Sequence, residues 1–445
     1  MPILYEFSKA EVQVPDARVL RAYLHAVWSN HPALFGEELA EGEEDASQPF
    51  LHFDGDKIRS RNYVGFIQSG DFHLEIYPKV FKSSGLGALQ IMRQLFFWLS
   101  YSRRWKFPFL QSNLDNREHA EWPELMIYLM AVRMRDTIAA QPLSLYHPVE
   151  EALSSPRGRI SFSRYLTNGF VNGNQHVLDC DHEPFLFDNR LNQIIKYTTR
   201  LLLDRSRLPL TQSILGELLF MLDEAEDLPA RAEELDRLVL NPLFAEYDTV
   251  KDICRMVLQQ CIYSHQQYDL SQWCLLLPME VIFEDFVAGF IMEQFSGDWL
   301  VERQKSDMSL SADPVAFEMR HDLLLTSRKD PAKRLIIDTK YKLREWNLYE
   351  GKKKGITPAD MYQVFSYAAR RGIDNVVLLY PNRGEEVRAP DQFSIPFGFP
   401  GGRSVSVLAV ELPFWSVEGT DKIAQRLLQT ISKVLDRIFP PDEYR

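Results

Sequence analysis

The sequence predicts a multidomain protein that combines α+β and α/β architecture. A β-rich mixed N-terminal domain, a mainly helical middle region and a C-terminal α/β domain are expected. Three observations lead there. The chain has 445 residues, room for several domains of roughly 100–200 residues each. Its composition, 45% apolar, 12% aromatic and 25% charged, is that of a globular chain and excludes wholesale disorder. The hydrophobic pattern also changes twice, which separates residues 1–117, 118–270 and 271–445.

The same numbers exclude several function classes. Apolar stretches such as Leu95–Leu99 fall far short of the roughly 20 residues of a bilayer span. Glu6 and Lys9 interrupt the N-terminus where a secretory signal needs an apolar run. A soluble, cytoplasmic chain is therefore expected. Cys180, Cys254, Cys261 and Cys274 form no CxxC pair, which fits reduced thiols and supports neither a zinc ribbon nor a redox motif. With 50 basic and 62 acidic residues the net charge is −12. A protein that coats nucleic acid is basic overall, so any such contact here needs a local basic patch.

In residues 1–117, Leu4–Phe7 and Glu11–Val14 read as short strands. Asp16 can cap a helix that carries Val19, Leu20, Tyr23, Leu24 and Val27 at core spacing. The acidic stretch from Glu37 to Asp45 reads as a solvated loop. Tyr63–Gln68 and Phe72–Tyr77 are strands, with Ser69-Gly70-Asp71 as the hairpin turn between them. Leu86–Ser100 reads as an amphipathic helix. In residues 118–270, Glu124–Ala140, Asn189–Asp204, Leu210–Ala225 and Val250–Tyr263 repeat apolar residues at helical steps. Pro142–Leu166 interrupts them as loop and short strand. From 271 onward, strands at Val315–Leu325, Arg334–Tyr341, Asn375–Tyr380 and Ser404–Leu412 alternate with helices at Ala359–Arg371 and Thr420–Phe439. Met279–Phe295, apolar round most of its circumference, is a helix expected to be buried.

The strongest chemical signal lies in this last region: His321-Asp322-Leu323, followed by Leu335-Ile336-Ile337-Asp338-Thr339-Lys340. Strand alternation puts Asp338 and Lys340 on one face, about 6.6–7 Å apart along the strand. Asp322, from the preceding strand, reaches that face across a hairpin. Two converging carboxylates offer hard oxygen ligands to Mg²⁺. A lysine beside them supplies charge for a developing phosphate anion, and a water activated by the ion can attack a phosphodiester. This is the D…(D/E)xK arrangement of metal-dependent nucleases. Glu284, on the preceding helix, is a further candidate metal ligand; the competing reading turns Glu284 or Asp285 to solvent. Gln363 and Tyr367, one helical turn apart, can hydrogen-bond phosphate or a catalytic water; the competing reading has Tyr367 packing and Gln363 exposed. Between Lys333 and Lys354, eight basic residues face three acidic ones, a flank suited to a polyanion. Trp346 and Tyr349 in that flank could stack on bases or pack internally. No GxxxxGK[ST], GxSxG or HExxH is present, which sets aside a P-loop, a nucleophile elbow and a zincin. His321 is read as structural.

Motifs in order along the chain resemble the McrC family, the nuclease subunit of McrBC-type modification-dependent restriction systems. They are Val64-Gly65-Phe66-Ile67, Leu74-Glu75-Ile76-Tyr77-Pro78-Lys79, Arg157-Gly158-Arg159-Ile160 and Phe185-Leu186-Phe187-Asp188-Asn189-Arg190-Leu191-Asn192. Phe283-Glu284-Asp285-Phe286-Val287, Asp322, Asp338-Thr339-Lys340-Tyr341-Lys342 and Asp360-Met361-Tyr362-Gln363 complete the set. The resemblance implies a C-terminal PD-(D/E)xK restriction-endonuclease-like domain. Asp322, Asp338 and Lys340 carry over by position, Glu284 more loosely, and Gln363 and Tyr367 look like a QxxxY element. His321 stands where the motif's name has proline. The resemblance also implies a partner, a hexameric AAA+ GTPase of McrB type that binds GTP itself and recognises double-stranded DNA with modified cytosine. The N-terminal part of this chain would enter the ring and stimulate GTP hydrolysis, with the loops Ser29–Gln48 and Ser69–Asp71 as candidate insertion points. Two other readings stay open. One is a non-catalytic GTPase-activating adaptor with a degenerate nuclease fold, which the intact Asp/Asp/Lys set opposes. The other is a stand-alone nuclease, which the lack of basic patches in the first two regions opposes.

Overall fold

A computed structural model describes residues 2–30, 49–102, 121–261, 272–344, 348–397 and 403–440. The acidic stretch Glu37–Asp45, most of the candidate loop Ser29–Gln48, and Trp346 lie outside the described residues, as does the side chain of Tyr349. The chain divides into two compact units, Met1–Trp122 with Ser271–Arg445, and Pro123–Leu270. Among the described residues no helix is long and apolar enough to cross a membrane.

The first unit begins with β1 (Ile3–Tyr5), β2 (Val12–Gln13), α1 (Ala17–Asn30), β3 (Leu51–Asp54), β4 (Lys57–Ser60), β5 (Tyr63–Ser69), β6 (Phe72–Tyr77) and α2 (Ala88–Ser100). Asp16 caps α1 as expected: its Oδ1 accepts from the backbone N–H of Arg18 and of Val19, each at 3.1 Å. The buried stripe is Leu20, Tyr23, Leu24 and Val27. Val19 departs from the expectation and is 48% exposed, because it lies one residue, about 100° of rotation, off that stripe. The β5–β6 hairpin turns at Gly70, whose φ of 58° suits glycine. The β3–β4 hairpin turns at Gly55-Asp56, with Gly55 at a φ of 61°.

The second unit carries α3 (Trp122–Ala140), β7 (Leu145–Tyr146), β8 (Val149–Leu153), β9 (Arg159–Ile160), β10 (Leu178–His182), β11 (Phe185–Leu186), α4 (Arg190–Arg205), α5 (Pro209–Met221) and α6 (Glu246–Cys261). Two of the quoted motifs are structural here. Asn189 caps α4 by accepting from Asn192 N–H at 3.1 Å. The side chains of Asn189 and Asn192 both donate to the carbonyls of Leu143 and Phe187. At Gly158, φ is 65° and a Cβ would lie 2.4 Å from the Asp181 carbonyl oxygen. The cysteines Cys180, Cys254 and Cys274 are free and buried.

The chain then re-enters the first unit. β12 (Gln272–Pro278) pairs antiparallel with β5 and completes a four-stranded sheet in the order β1-β6-β5-β12. α7 (Met279–Phe295) follows and buries Ile282, Phe283, Phe286, Val287, Phe290 and Ile291, as its all-round apolarity predicts. Six strands form the largest sheet: β13 (Trp299–Ala312), β14 (Val315–Ser327), β15 (Arg334–Thr339), β16 (Asn375–Pro381), β17 (Asp391–Pro396) and β18 (Ser404–Leu412). Their order is β13-β14-β15-β16-β18-β17. The central β15, β16 and β18 run parallel, and the outer strands are antiparallel to their neighbours. α8 (Pro358–Arg371) lies on one face, between a Thr357 cap and Gly372 in the left-handed region. It closes a core with Leu324, Ile336, Val364, Ala368, Val376 and Leu378. α9 (Thr420–Ile438) buries Ile423, Leu427, Ile431, Val434 and Leu435, while Leu428, expected on that face, is 38% exposed.

Candidate active site

The site forms where β15 leaves the sheet. Leu323 pairs with Ile337 across the β14–β15 ladder, and the next step of that register sets Asp322 against Asp338. Alternation places both on the face covered by α8, together with Leu324 and Ile336. Asp338 is 1% exposed and sits at the C-terminal end of the central parallel strand. Asp322 is held by Thr339, the residue after Asp338: its Oδ2 accepts from the Thr339 backbone N–H at 2.6 Å and from Thr339 Oγ1 at 2.5 Å.

Lys340 closes the group. Its Nζ lies 2.7 Å from Asp338 Oδ2 and donates to Gln363 Oε1 at 2.9 Å. Gln363 Nε2 donates in turn to Tyr367 Oη at 2.8 Å. Gln363 is exposed and Tyr367 is buried, yet both join one chain, Asp338–Lys340–Gln363–Tyr367. The i, i+4 spacing on α8 brings the last two into register.

Electrostatics follow from the burial. Loss of water pushes the Asp338 carboxyl well above the ordinary carboxylate range, the facing Asp322 adds to the rise, and Lys340 opposes it. For Lys340, burial works against the ammonium, but Asp338, Asp322 and Asp360 outweigh it and hold the group above its ordinary value. The lysine therefore stays charged. His321 is buried, with Nε2 unpartnered, and desolvation pushes it down to about 4, so it is neutral at pH 7, in keeping with a structural role.

Glu284 sits elsewhere in its contacts. Its Oε1 accepts from Gln304 Nε2 of β13 at 2.7 Å. Its neighbour Asp285 is not turned to solvent: it is fully buried, ion-pairs with Arg303 and accepts from Ser102 Oγ at 2.6 Å. Among the described residues no three His, Cys, Asp or Glu side chains are arranged as a metal cage. What the structure offers is two facing carboxylates. Mg²⁺ commonly uses one or two carboxylates and completes its shell with waters and substrate phosphates, so the donor set fits that ion.

The basic flank needs correction. Arg344 is 1% exposed and serves the fold: it pairs with Asp391 at 2.6 Å and donates to the Lys354 carbonyl. Lys342 pairs with Asp360 at 2.9 Å. Charge counted along the sequence therefore overstates what this segment presents to a polyanion. Two residues near the site were not singled out as candidates. Thr339 lies inside the D-x-K triplet at the variable position, where a motif search carries no weight. Asp360, 4% exposed with Oδ2 unpartnered, adds a third negative charge near Asp338. Its signals were its place in the motif Asp360–Gln363 and at the start of α8, where an acid is common.

Comparison with known proteins adds an independent finding. The family described as McrBC 5-methylcytosine restriction system component matches residues 58–381. The chain also matches a solved structure, the half-complex from a tetradecameric assembly of Thermococcus gammatolerans McrB AAA+ hexamers with bound McrC. There the TM-score is 0.76 at 17% identity, over 97% of this chain and 99% of the other. A second structure, the Thermococcus gammatolerans McrBC complex, matches with TM-score 0.49 and 20% identity over 65% of this chain and 87% of the other. No curated protein matches the sequence.

Proposed function

The chain belongs to the McrBC restriction-system family as an McrC-type subunit, and from that premise we propose that it is the Mg²⁺-dependent DNA endonuclease subunit of the complex, with a PD-(D/E)xK site built on the six-stranded sheet. The observation that carries the reading is the pairing of facing Asp322 and Asp338 with a lysine 2.7 Å from Asp338, fixed through Gln363 to Tyr367.

Each side chain then has a task. Asp322, fixed by Thr339, and Asp338 would hold Mg²⁺. When bound, the ion supplies Lewis-acid charge at the scissile phosphate. Lys340 presents its ammonium to the charge that builds on the phosphate oxygens as water attacks phosphorus and the P–O bond to the leaving sugar oxygen breaks. Gln363 and Tyr367 hold that ammonium in place, so little reorganisation is needed at the moment of reaction. Glu284, whose Oε1 accepts from Gln304, is a further candidate, as a support or as a ligand to a second ion.

The working assembly includes an AAA+ GTPase hexamer of McrB type, which binds GTP, and double-stranded DNA carrying modified cytosine. The structural relative, with McrC bound to McrB hexamers, supports this partner, and so does the absence of a P-loop motif in this chain. Residues 1–117 are the part proposed to meet and stimulate the GTPase. Metal removal tests the nuclease reading. Cleavage of methylated plasmid by the complex should stop in EDTA and return with excess Mg²⁺, while GTP-free controls stay uncut. Cleavage that persists in EDTA contradicts it.

A further inference from the structure

Lys79 closes the N-terminal motif Leu74–Lys79, yet it lies far in sequence from the carboxylates and has no part in the chemistry above. Its side chain nevertheless ends beside the site. Lys79 Nζ donates to the Tyr341 carbonyl at 3.2 Å and sits 4.2 Å above the Tyr341 ring. It also lies 4.8 Å from the centre of the Phe7 ring. The Lys79 backbone N–H donates to Glu6 Oε1 at 2.9 Å, and the same oxygen accepts from Tyr341 Oη. Glu6 is itself fixed to the sheet, its N–H donating to the Tyr77 carbonyl at 2.8 Å. The ends of β1 and β6 thus grip one residue, Tyr341, by its carbonyl, its ring and its hydroxyl.

Tyr341 follows Lys340 directly. β15 has ended at Thr339, and Lys340 N–H makes a last bond to the Leu379 carbonyl at 2.8 Å. The backbone then turns tightly, with Lys342 N–H donating to the Lys340 carbonyl at 2.7 Å. Beyond that bond the sheet no longer defines the backbone on the C-terminal side of Lys340. Tyr341 does: it is 4% exposed, with its ring against Phe283 and Phe414 at 5.7 and 6.1 Å. The contacts of Tyr341 are with Lys79, Glu6, Phe283 and Phe414, whereas Lys340 Nζ meets Asp338 and Gln363. The grip therefore acts from behind Lys340, without touching DNA or metal.

We propose that Lys79 and Glu6 are positioning residues for Lys340: by clamping Tyr341 they make the nuclease site depend on the integrity of the N-terminal sheet. The inference rests on the nuclease reading of Lys340. A displacement of about 1 Å at a reacting group can lower a rate on the order of a hundredfold, so loss of the clamp should appear in turnover rather than in DNA affinity.

The test measures cleavage kcat and KM for DNA in the full complex with the GTPase partner. Lys79→Met, Lys79→Arg, Tyr341→Phe and Asp338→Ala are compared with wild type, with GTP turnover and thermal melting recorded for each. The expected result is that Asp338→Ala is inactive and Lys79→Met loses roughly tenfold or more in kcat. KM should stay unchanged, Lys79→Arg should recover much of the loss, and Tyr341→Phe, which keeps the ring, should fall in the same direction; a loss of cleavage that only tracks a loss of GTP turnover overturns the clamp. If Lys79→Met does not fold, Tyr341→Phe decides. Inactive Asp338→Ala with wild-type kcat in the clamp variants overturns the clamp and leaves the nuclease reading intact. Active Asp338→Ala overturns that reading and the clamp with it.

Discussion

Asp322 and Asp338 face each other across one ladder but are held in different ways. Asp338 is pinned by burial and by Lys340, whereas Asp322 depends on Thr339, which gives it both a backbone N–H and a hydroxyl. Thr339→Val keeps shape and backbone and removes the hydroxyl bond. It should lower metal-dependent cleavage by about tenfold while folding stability changes by about 1 kcal/mol, measured by a Mg²⁺ titration of cleavage and by denaturant unfolding. Asp338 and Lys340 were legible in the sequence because D-x-K sets both on one face by strand alternation, and Asp322 because a hairpin brings the preceding strand alongside. Thr339, Asp360 and the Lys79 clamp were not, since each acts through a contact that no spacing rule describes. Arg344 shows the opposite error. A basic residue in a basic run reads as surface charge, and only the fold reveals it as a buried partner of Asp391.

At the scale of elements, legibility followed periodicity. Helices such as α9 and apolar strands such as β16 and β18 announce themselves by pattern. β13 does not, because the polar stretch Glu302–Ser309 neither alternates nor shows a helical stripe. β12 escaped for another reason: its meaning lies in pairing with β5, some two hundred residues upstream. Gly65 marks that pairing. With φ at 138° and space for a Cβ only 1.8 Å from the Leu275 carbonyl oxygen, alanine cannot be accommodated without moving a strand. Gly65→Ala should therefore destabilise the first unit by several kcal/mol, of the order seen for overpacked cores. Chemical denaturation checks this; an unchanged midpoint contradicts the close approach of β5 and β12.

For the whole molecule, buried charge sets the response to pH. Glu6 is raised from 4.5 to about 7 by burial, against the pull of Lys79 and of hydrogen bonds from Tyr341 and Lys79. Between those values the folded chain holds a proton that the unfolded chain has released. By linkage, this contribution to stability is full below the unfolded value and declines as pH rises toward 7. Glu6→Gln should flatten the fall in melting temperature between about pH 5 and pH 7, and equal slopes for variant and wild type contradict it.

On the function proposed above, one chain joins a nuclease site to a surface that drives a GTPase. The most direct measurement is cleavage of a long cytosine-methylated plasmid with Mg²⁺, GTP and the partner GTPase, comparing wild type with Asp338→Ala and recording GTP turnover in the same reactions. Asp338→Ala should lose cleavage by a factor on the order of 10³ or more while still stimulating GTP hydrolysis. Full cleavage by Asp338→Ala would contradict the proposed function, and so would stimulated GTP turnover with no cleavage by either protein.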